Sequence, residues 1–321
     1  MKPAAPRSGV VEPASRGRGL AAAAPESSLN DLLRALKKRS KRYQRELRHC
    51  QRGFSEQAIH QSRIATRRLL SSLELVGGLV TGRHLEEAEQ VLKQHLESLE
   101  DLRDTQVQLI TVGKMLRIFP AARPFHEFLL KRERRFARKA RKRINRLQHQ
   151  HLNRLAAACR GDVRARLNDQ PPRRLAAVLL QSVARAFART RQRWQNVRPE
   201  DARTIHRTRV AFKKFRYMVE ALTDFLPGVT DDPLAAMRQY QNMMGEIQDL
   251  EVLPRTLDKF VRKQQIKPEA ARRFREELLR RRQWLIRVYL GAADQLLAFW
   301  PLLRSRTGGA TALRGRGARA S

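Results

Sequence analysis

Cysteine is scarce in this sequence, and long apolar runs are missing. The 321 residues include two cysteines, Cys50 and Cys159, which are too few for a disulfide framework or a four-cysteine zinc site. Near the N-terminus, a short Ala-rich stretch at 20–24 ends at Pro25. This stretch is shorter than the apolar region of a signal peptide or a membrane span. We therefore expect a cytoplasmic protein.

Acidic residues are also few. The 31 Asp and Glu residues stand against 67 Lys and Arg, which gives a formal net charge of +36. Self-repulsion of this size opposes a compact state unless a polyanion neutralises it. Hydrophobic residues make up 41% of the chain, enough to exclude a wholly disordered basic protein. The composition predicts a folded protein whose partner is nucleic acid, polyphosphate or an anionic membrane surface.

Motifs of phosphate-processing enzymes are absent from the sequence. It has no Gly-rich phosphate loop and no carboxylate cluster suited to Mg²⁺. Triphosphatase-like domains carry a Glu-x-Glu-x-Lys motif on a strand. The nearest match here, Glu87-Ala88-Glu89, lacks the lysine and lies in a helical pattern. We predict a protein that is not an enzyme, with no catalytic residue, no cofactor and no metal.

One stretch of the chain occurs twice. Residues 59–68 and 205–214 both read apolar, His, two spacers, Arg, aliphatic, Ala, one spacer and two basic residues. His206 follows His60 by 146 residues, a separation too long for a solenoid unit of roughly 20–50 residues. The repeat predicts two domain-sized halves.

Helical geometry puts the basic residues of each stretch on one stripe. At about 100° per residue, His60, Arg63 and Arg67 fall within roughly 60° of one another. An apolar stripe that includes Ile59 and Leu73 lies beside them. In the second copy the basic stripe holds His206, Arg209, Lys213 and Arg216. A charged face that only meets solvent would more often lie opposite the core, so these stripes indicate polyanion contact.

The predicted fold is all-α: two antiparallel four-helix bundles. The bundles are predicted at 28–160 and 173–303, joined by a linker at 161–172. We expect disorder at 1–27, which is rich in Pro, Gly, Ala and Arg, and in the Gly/Arg tail at 304–321.

Each half is predicted to contain four helices. In the first half they run over about 29–53, 55–77, 84–116 and 125–158, bounded by glycines and prolines. In the second half they run over about 173–197, 200–226, 231–267 and 268–300. The last helix of each half is rich in arginine. Its candidate ligand contacts are Arg134, Arg138 and Arg141 in the first half and Arg280 and Arg287 in the second.

These motifs resemble the CHAD family, the conserved histidine α-helical domain, over roughly 28–303. That family carries a His-x-x-Arg-x-x-x-Arg/Lys helix in each of two four-helix bundles related by a pseudo-twofold, so the resemblance implies the same internal repeat for this chain. Its Gly-x-x-Arg-Asp-x-Asp-Val element survives here in part, as Arg103-Asp104 and as Gly245 with Asp249. Glu100 replaces its glycine and Gln106 its last aspartate, and Leu70 stands where a further arginine is expected.

The resemblance implies non-catalytic binding of long-chain inorganic polyphosphate in a basic channel between the bundles, with location on polyphosphate granules. Arginine would supply bidentate contacts and lysine a mobile point charge. The candidate polyphosphate-binding residues come from the motif helices and the fourth helices: His60, Arg63, Arg67, Arg134, Arg138, Arg141, His206, Arg209, Lys213, Arg216, Arg280 and Arg287.

Other interpretations remain open for parts of this set. A histidine on a helix is often a hydrogen-bonded structural residue, and the fourth-helix arginines could form a solvated face. Asp104 and Asp249 are expected to orient Arg or His; the surrounding cations argue against a metal site with the histidines. The alternative function is nonspecific nucleic-acid binding, with the basic tail contacting RNA or DNA. An aromatic content of 6% counts against that alternative.

Overall fold

The structure, a computed structural model, describes residues 29–225, 232–264 and 268–306. These residues form α-helices joined by short turns, with one 3₁₀ turn at Pro120–Ala122 and no β-strand within the described ranges. The helices are α1 (Leu29–Gly53), α2 (Glu56–Val76), α3 (Arg83–Ser98), α4 (Glu100–Met115), α5 (Arg123–Asn145), α6 (His149–Leu167), α7 (Pro172–Gln195), α8 (Ala202–Phe225), α9 (Asp232–Gln264), α10 (Pro268–Gly291) and α11 (Gln295–Arg306). The all-α prediction is confirmed.

The two motif helices are α2 and α8, close to their predicted bounds. Ser55 caps the start of α2, where its side chain accepts a hydrogen bond from the backbone N–H of Ala58 at 3.2 Å. The apolar stripe of each helix is buried: Ile59 and Val76 on α2 are 2% and 0% exposed, and Phe212 on α8 is 0% exposed. This burial fixes the rotation of each helix, so the basic stripe emerges along the edge of the core.

Three predicted long helices are each broken in two. The helix expected at 84–116 divides at Leu99 into α3 and α4, and the one expected at 125–158 divides at 146–148 into α5 and α6. The last predicted helix divides at 292–294 into α10 and α11. The turn at Leu99 lets α3 stay against α2 and α6, while α4 packs on α5 and α9. The break thus lets the two parts of the predicted helix bury their apolar faces against different neighbours.

Helix α6 extends past its predicted end. It runs to Leu167 and so occupies much of the segment interpreted as a linker at 161–172. Gly161 sits within it, and Val163 and Leu167 are 1% and 3% exposed. Burial of these apolar side chains outweighs the roughly 1 kcal/mol helix penalty of one glycine. The segment at 1–27 and the tail from 307 lie outside the described residues, whereas α11 covers 304–306.

Packing brings the two motif helices together. In the first half α1, α2, α3 and α6 contact one another; in the second α7, α8, α9 and α11 do so, with α10 on α9. Helix α2 packs directly against α8. The buried apolar residues of both halves belong to one connected core. The division into two symmetry-related bundles at the predicted domain bounds remains a prediction.

His95 sits in the core as a structural histidine. It is 1% exposed, with its Nδ1 3.1 Å from the Tyr43 hydroxyl and its Nε2 3.2 Å from the Ser62 hydroxyl. Burial, with a smaller contribution from Arg63, lowers the pKa of His95 to about 3. The ring is therefore neutral in the folded protein at neutral pH.

We expect His95 to make the protein acid-sensitive. The unfolded chain takes up a proton on this ring near pH 6.5, whereas the folded chain does not until about pH 3. Stability is therefore retained above pH 6.5 and lost as pH falls, with His95 alone contributing about 2 kcal/mol of loss by pH 5. Urea unfolding at pH 7 and pH 5 measures this. His95→Gln should flatten the difference, and His49→Gln, at an exposed histidine on α1, should leave it intact.

Candidate functional site

A cleft of about 480 Å³ runs along the contact between α2 and α8. We call it the cationic cleft. Its basic lining comes from three helices: Arg63 and Arg67 of α2, Lys93 of α3, and Lys213 and Lys214 of α8. The carboxylates of Glu74, Glu97 and Glu100 also line it. The two copies of the repeated motif thus contribute to one site.

A second cavity of about 180 Å³ continues the site along α8 toward α4 and α9. His206 and Arg209 line it together with Asp104 of α4 and Asp249 of α9, and we call it the carboxylate pocket. Glu100 borders both cavities. The basic stripe of α8 therefore passes from a mainly cationic region into a region of mixed charge.

Arg63 is held in a fixed position at the base of the cationic cleft. It is 9% exposed, and its guanidinium donates a hydrogen bond to the backbone carbonyl of Leu96 at 3.1 Å. Burial first, and then the repulsion of Arg67, lowers the pKa of Arg63 to about 10. The side chain remains charged at pH 7, so a preorganised cation with unused donors faces the cleft.

Arg209 lies across α9 at Gly245. A Cβ added at Gly245 would come 3.6 Å from Nε of Arg209 and 3.9 Å from Nη2. That Nε atom is buried without a hydrogen-bond partner. Desolvation lowers the pKa of Arg209, while Asp249 acts in the opposite direction. The glycine leaves room for the guanidinium to pass over the α9 backbone.

We predict that the size of residue 245 controls the position of Arg209. Gly245→Leu should displace the guanidinium and weaken binding of a phosphate chain by about tenfold, the scale of one charged hydrogen bond. Gly245→Ala should bind like the wild type, because its Cβ makes only ordinary contact, and should stabilise α9 by about 0.5–1 kcal/mol. Fluorescence titration with long-chain polyphosphate, beside thermal unfolding, measures both effects. Unchanged affinity in Gly245→Leu would disprove this role.

Lys213 differs from its sequence neighbour in having no counter-charge. Lys214 pairs with Glu74 at 3.0 Å, whereas among the described residues no carboxylate lies within ion-pair distance of Lys213. Desolvation first, and then Arg67, Arg209 and Arg63, lowers the pKa of Lys213 to about 7. The lysine sits among three arginines from both motif helices.

The two motif histidines lie in different surroundings: His206 lines the carboxylate pocket, whereas His60 is exposed and lines neither cavity. Partial desolvation, and then Arg103 and Arg63, lowers the pKa of His60. Desolvation and Arg209 lower the pKa of His206, whose Nδ1 is buried without a partner. Both rings are therefore neutral at pH 7 when the site is empty, and a bound anion would favour their charged forms.

Two carboxyls balance the arginines on the α4 and α9 side. Burial raises the pKa of Asp249 to about 6, with Arg209 opposing that shift and Asp104 adding to it. Burial and the neighbouring Glu100 raise the pKa of Asp104. Among the described residues no hydrogen bond or ion pair joins either carboxyl to an arginine or histidine, so the expectation that Asp104 and Asp249 orient Arg or His stays a prediction.

Arg216 turns away from the cationic cleft. It is 5% exposed, donates from Nε to Gln241 at 2.9 Å, and lies 3.5 Å from Glu220 and 4.1 Å from the ring centre of Tyr217. All of its charge is directed to protein partners. Helical spacing placed Arg216 among the candidate ligand-binding residues. In the structure its guanidinium instead interacts with Gln241, Glu220 and Tyr217.

The fourth-helix arginines do not line either cavity. Arg134, Arg138 and Arg141 are exposed on α5. Arg280 is exposed on α10 and pairs with Glu277, and Arg287 is exposed on the same helix. The structure thus brings Arg63, Arg67 and Lys213 to the cationic cleft and His206 and Arg209 to the carboxylate pocket. His60 is exposed and lines neither cavity, and the α5 and α10 candidates also lie outside both.

Several residues near the site were missed by sequence reasoning. Lys93 on α3 and Lys214 line the cationic cleft. Arg103 pairs with Glu56 at 3.4 Å and acts on the pKa of His60. Lys214 could have been found, since it belongs to the repeated stretch. Lys93 carries no such signal, because only the packing of α3 against α2 brings it to the cleft.

The described ranges hold no cluster of three or more side chains suited to binding a metal ion. Over the same residues, no helix is both long and apolar enough to cross a membrane.

This arrangement defines a class of protein: an all-helical fold whose duplicated His/Arg helices form one cationic cleft. The CHAD domain family model matches residues 34–258. The chain belongs to the CHAD domain family, whose known ligand is polyphosphate.

Two solved structures share the fold. The CHAD domain from the plant Ricinus communis is 20% identical, with a TM-score of 0.61, and the match covers 93% of this chain and 97% of that one. PptA from Streptomyces chartreusis is 15% identical, with a TM-score of 0.64, covering 85% of this chain and 99% of that one. At these identities the likeness concerns the fold alone. No curated protein sequence matches the chain significantly.

Proposed function

We propose that the protein binds long-chain inorganic polyphosphate in the cationic cleft without chemically changing it. The observation that carries the proposal is that Arg63, Arg67 and Lys213, from two distant copies of one motif, line one cleft, with Arg209 in the adjoining carboxylate pocket. Membership of the CHAD family supports a polyphosphate-related role.

The chemistry of the cleft suits a bare phosphate chain. Arginine offers planar paired donors to phosphate oxygens, and lysine offers a compact charge that tolerates variation along a flexible polymer. Arg63 is preorganised by its hydrogen bond to Leu96, so little side-chain entropy is lost when it meets the ligand. Binding would release counterions and weaken steeply with salt, as phosphate contacts of nucleic acids do.

Nucleic acid fits the cleft less well. Bases need aromatic side chains on which to stack or hydrogen-bonding groups that read their edges. Tyr217 lines the cleft, but its ring is already covered by the guanidinium of Arg216 at 4.1 Å. We therefore place nucleic-acid binding second, with the basic tail as its expected contact.

Competition tests the choice of ligand. Labelled long-chain polyphosphate should be displaced from the full-length protein by unlabelled polyphosphate at physiological salt. Single-stranded RNA, duplex DNA and heparin should require concentrations at least about tenfold higher, the effect of about 1.4 kcal/mol of selectivity. Equal displacement by all four would indicate a generic basic surface. Released orthophosphate should stay at background during the incubation, and steady release would overturn the non-enzymatic assignment.

Location on polyphosphate granules is a further part of the proposal. If the cleft recruits the protein to polymerised phosphate, a fluorescent fusion should form foci in phosphate-fed cells. A fusion with both Arg63 and Arg209 reversed in charge should remain diffuse. Foci that persist in that variant would separate localisation from the cationic cleft.

A further inference from the structure

Lys213 stands out among the cations of the site because no carboxylate of the described residues lies within ion-pair distance of it. Arg63 and Arg67 of α2 line the cationic cleft with it, and Arg209 lies four residues earlier on its own helix. Lys214, one residue on, has Glu74 at 3.0 Å. Lys213 is half-buried between the two motif helices, which removes part of the water that would stabilise an ammonium.

We propose that the Lys213 amine is largely neutral in the empty cleft above neutral pH and takes up a proton when a phosphate chain binds. This inference rests on the proposed function and makes Lys213 the group that links ligand capture to pH. A phosphate oxygen entering the cleft brings the counter-charge that the protein withholds from Lys213, so the ammonium becomes the favoured form in the complex.

The charged groups that line the cationic cleft and the carboxylate pocket beside Lys213 come from five helices. They are Arg63, Arg67 and Glu74 on α2, Lys93 and Glu97 on α3, and Glu100 and Asp104 on α4, with Asp249 on α9 and His206, Arg209 and Lys214 on α8. Glu100 acts on Lys213 in the direction that favours its charge, but its effect ranks below those of the three arginines.

Other titrating groups leave a usable pH window. The pKa of Asp249 is about 6, and those of His60 and His206 lie below the ordinary 6.5. The thiols of Cys50 and Cys159 have their pKa raised to about 11. In the empty site Lys213, with its pKa lowered to about 7, is therefore a group that changes charge between pH 7 and 9. Because a bound anion would also favour the charged forms of His60 and His206, comparison of the wild type with Lys213→Arg isolates the contribution of Lys213.

The sign of the pH dependence follows from these values. In the empty protein the lysine loses its proton as pH rises through about 7, and in the complex it keeps the proton to higher pH. Affinity for polyphosphate is therefore greatest below pH 7 and falls as pH rises. Between pH 6.5 and 8.5 the fall should be roughly 20-fold.

The test measures binding of long-chain polyphosphate to the full-length protein at pH 6.5, 7.5 and 8.5, at fixed ionic strength. Long chains are used so that terminal phosphates contribute little. Calorimetry at pH 8 in two buffers of different ionisation enthalpy should show uptake of about 0.9 proton by the wild type. Lys213→Arg, which keeps the charge at all these pH values, should abolish most of the uptake and flatten the affinity.

Two further variants make the result decisive. Lys213→Met should also be flat, with an affinity at pH 6.5 as weak as or weaker than that of the wild type at pH 8.5. Lys41→Arg, at an exposed lysine of α1 outside both cavities, should keep the full pH dependence. Circular dichroism checks that each variant is folded.

The outcomes separate the inference from the proposed function. No binding by the wild type at pH 6.5 would refute the polyphosphate function itself. Tight binding that is equal at pH 6.5 and 8.5 would refute proton uptake while leaving that function in place. A 20-fold fall that persists in Lys213→Arg would assign the linkage to another group and overturn the role of Lys213.

Discussion

Reversing the charge of both Arg63 and Arg209 is expected to weaken polyphosphate binding by at least about 100-fold. Each arginine belongs to one copy of the repeated motif, and each has guanidinium donors not used by a carboxylate of the described chain. Losing two charge-assisted hydrogen bonds, each contributing about 1.5–3 kcal/mol, corresponds to about 3–6 kcal/mol. The introduced carboxylates would add repulsion to this loss.

A matched control separates the cleft from the overall charge of the protein. Lys41→Glu combined with Arg191→Glu changes the net charge by the same amount, and both residues are exposed, on α1 and α7, outside the two cavities. With a net charge of +36, this control should bind within about threefold of the wild type at physiological salt, since exposed charges are screened there. Equal losses in the two double variants would contradict a defined cleft.

Charge reversal of Arg134 and Arg138 provides a third variant for the same binding measurement. These residues were candidates from sequence and are exposed on α5 away from both cavities. If a long phosphate chain extends from the cleft over α5, this pair will also weaken binding of long chains but not of short ones. Comparison of two chain lengths in the same titration measures that difference.

Removing Glu220 is expected to cost about 3–5 kcal/mol of folding stability, the usual effect of leaving a buried charge without its partner. Glu220 is 7% exposed and pairs with both Arg216 and Arg68, so it ties α8 to α2. In Glu220→Leu, Arg216 would remain buried beside Gln241 without a counter-charge. Urea unfolding at pH 7 measures the loss.

The second substitution of a double variant tests the cause. Glu220→Leu combined with Arg216→Met should recover much of the lost stability, because apolar residues of similar volume often replace a buried ion pair without net loss. Glu276→Ala, which removes the exposed partner of Arg272, should change stability by less than about 1 kcal/mol. A small effect of Glu220→Leu alone would show that the Arg216 charge is stabilised by other means.

The sequence was most informative where its signal was local. Period 3.6 located α1, α2, α7 and α8 to within a few residues, and the burial of Ile59 and Phe212 shows that the apolar stripes were assigned to the correct face. The same geometry placed Arg63 and Arg67 beside the core. Burial of the apolar face fixes the rotation of a helix. It therefore also fixes the direction in which the residues beside that face point.

Breaks in helices were harder to predict. Leu99 is 0% exposed and interrupts the pattern without glycine or proline. The chain turns there because α3 and α4 bury their apolar faces against different helices. Conversely, Gly161 lies inside a continuous helix because tertiary packing of α6 outweighs its low propensity. Neither the break nor the continuous helix can be predicted from neighbouring residues in the sequence, because both depend on tertiary packing.

By itself, the sequence determined the helical class, the duplicated His/Arg stripe and the excess of positive charge, all of which depend on residues close together in the chain. The tertiary structure decided which charges are free. Arg216 and Lys213 belong to one stripe of α8, yet Arg216 pairs with Glu220, whereas Lys213 lines the cleft with Arg63 and Arg67 and has no carboxylate of the described residues within ion-pair distance. The physical reason is that a buried charge is governed by the helices packed against it, and these come from distant parts of the chain.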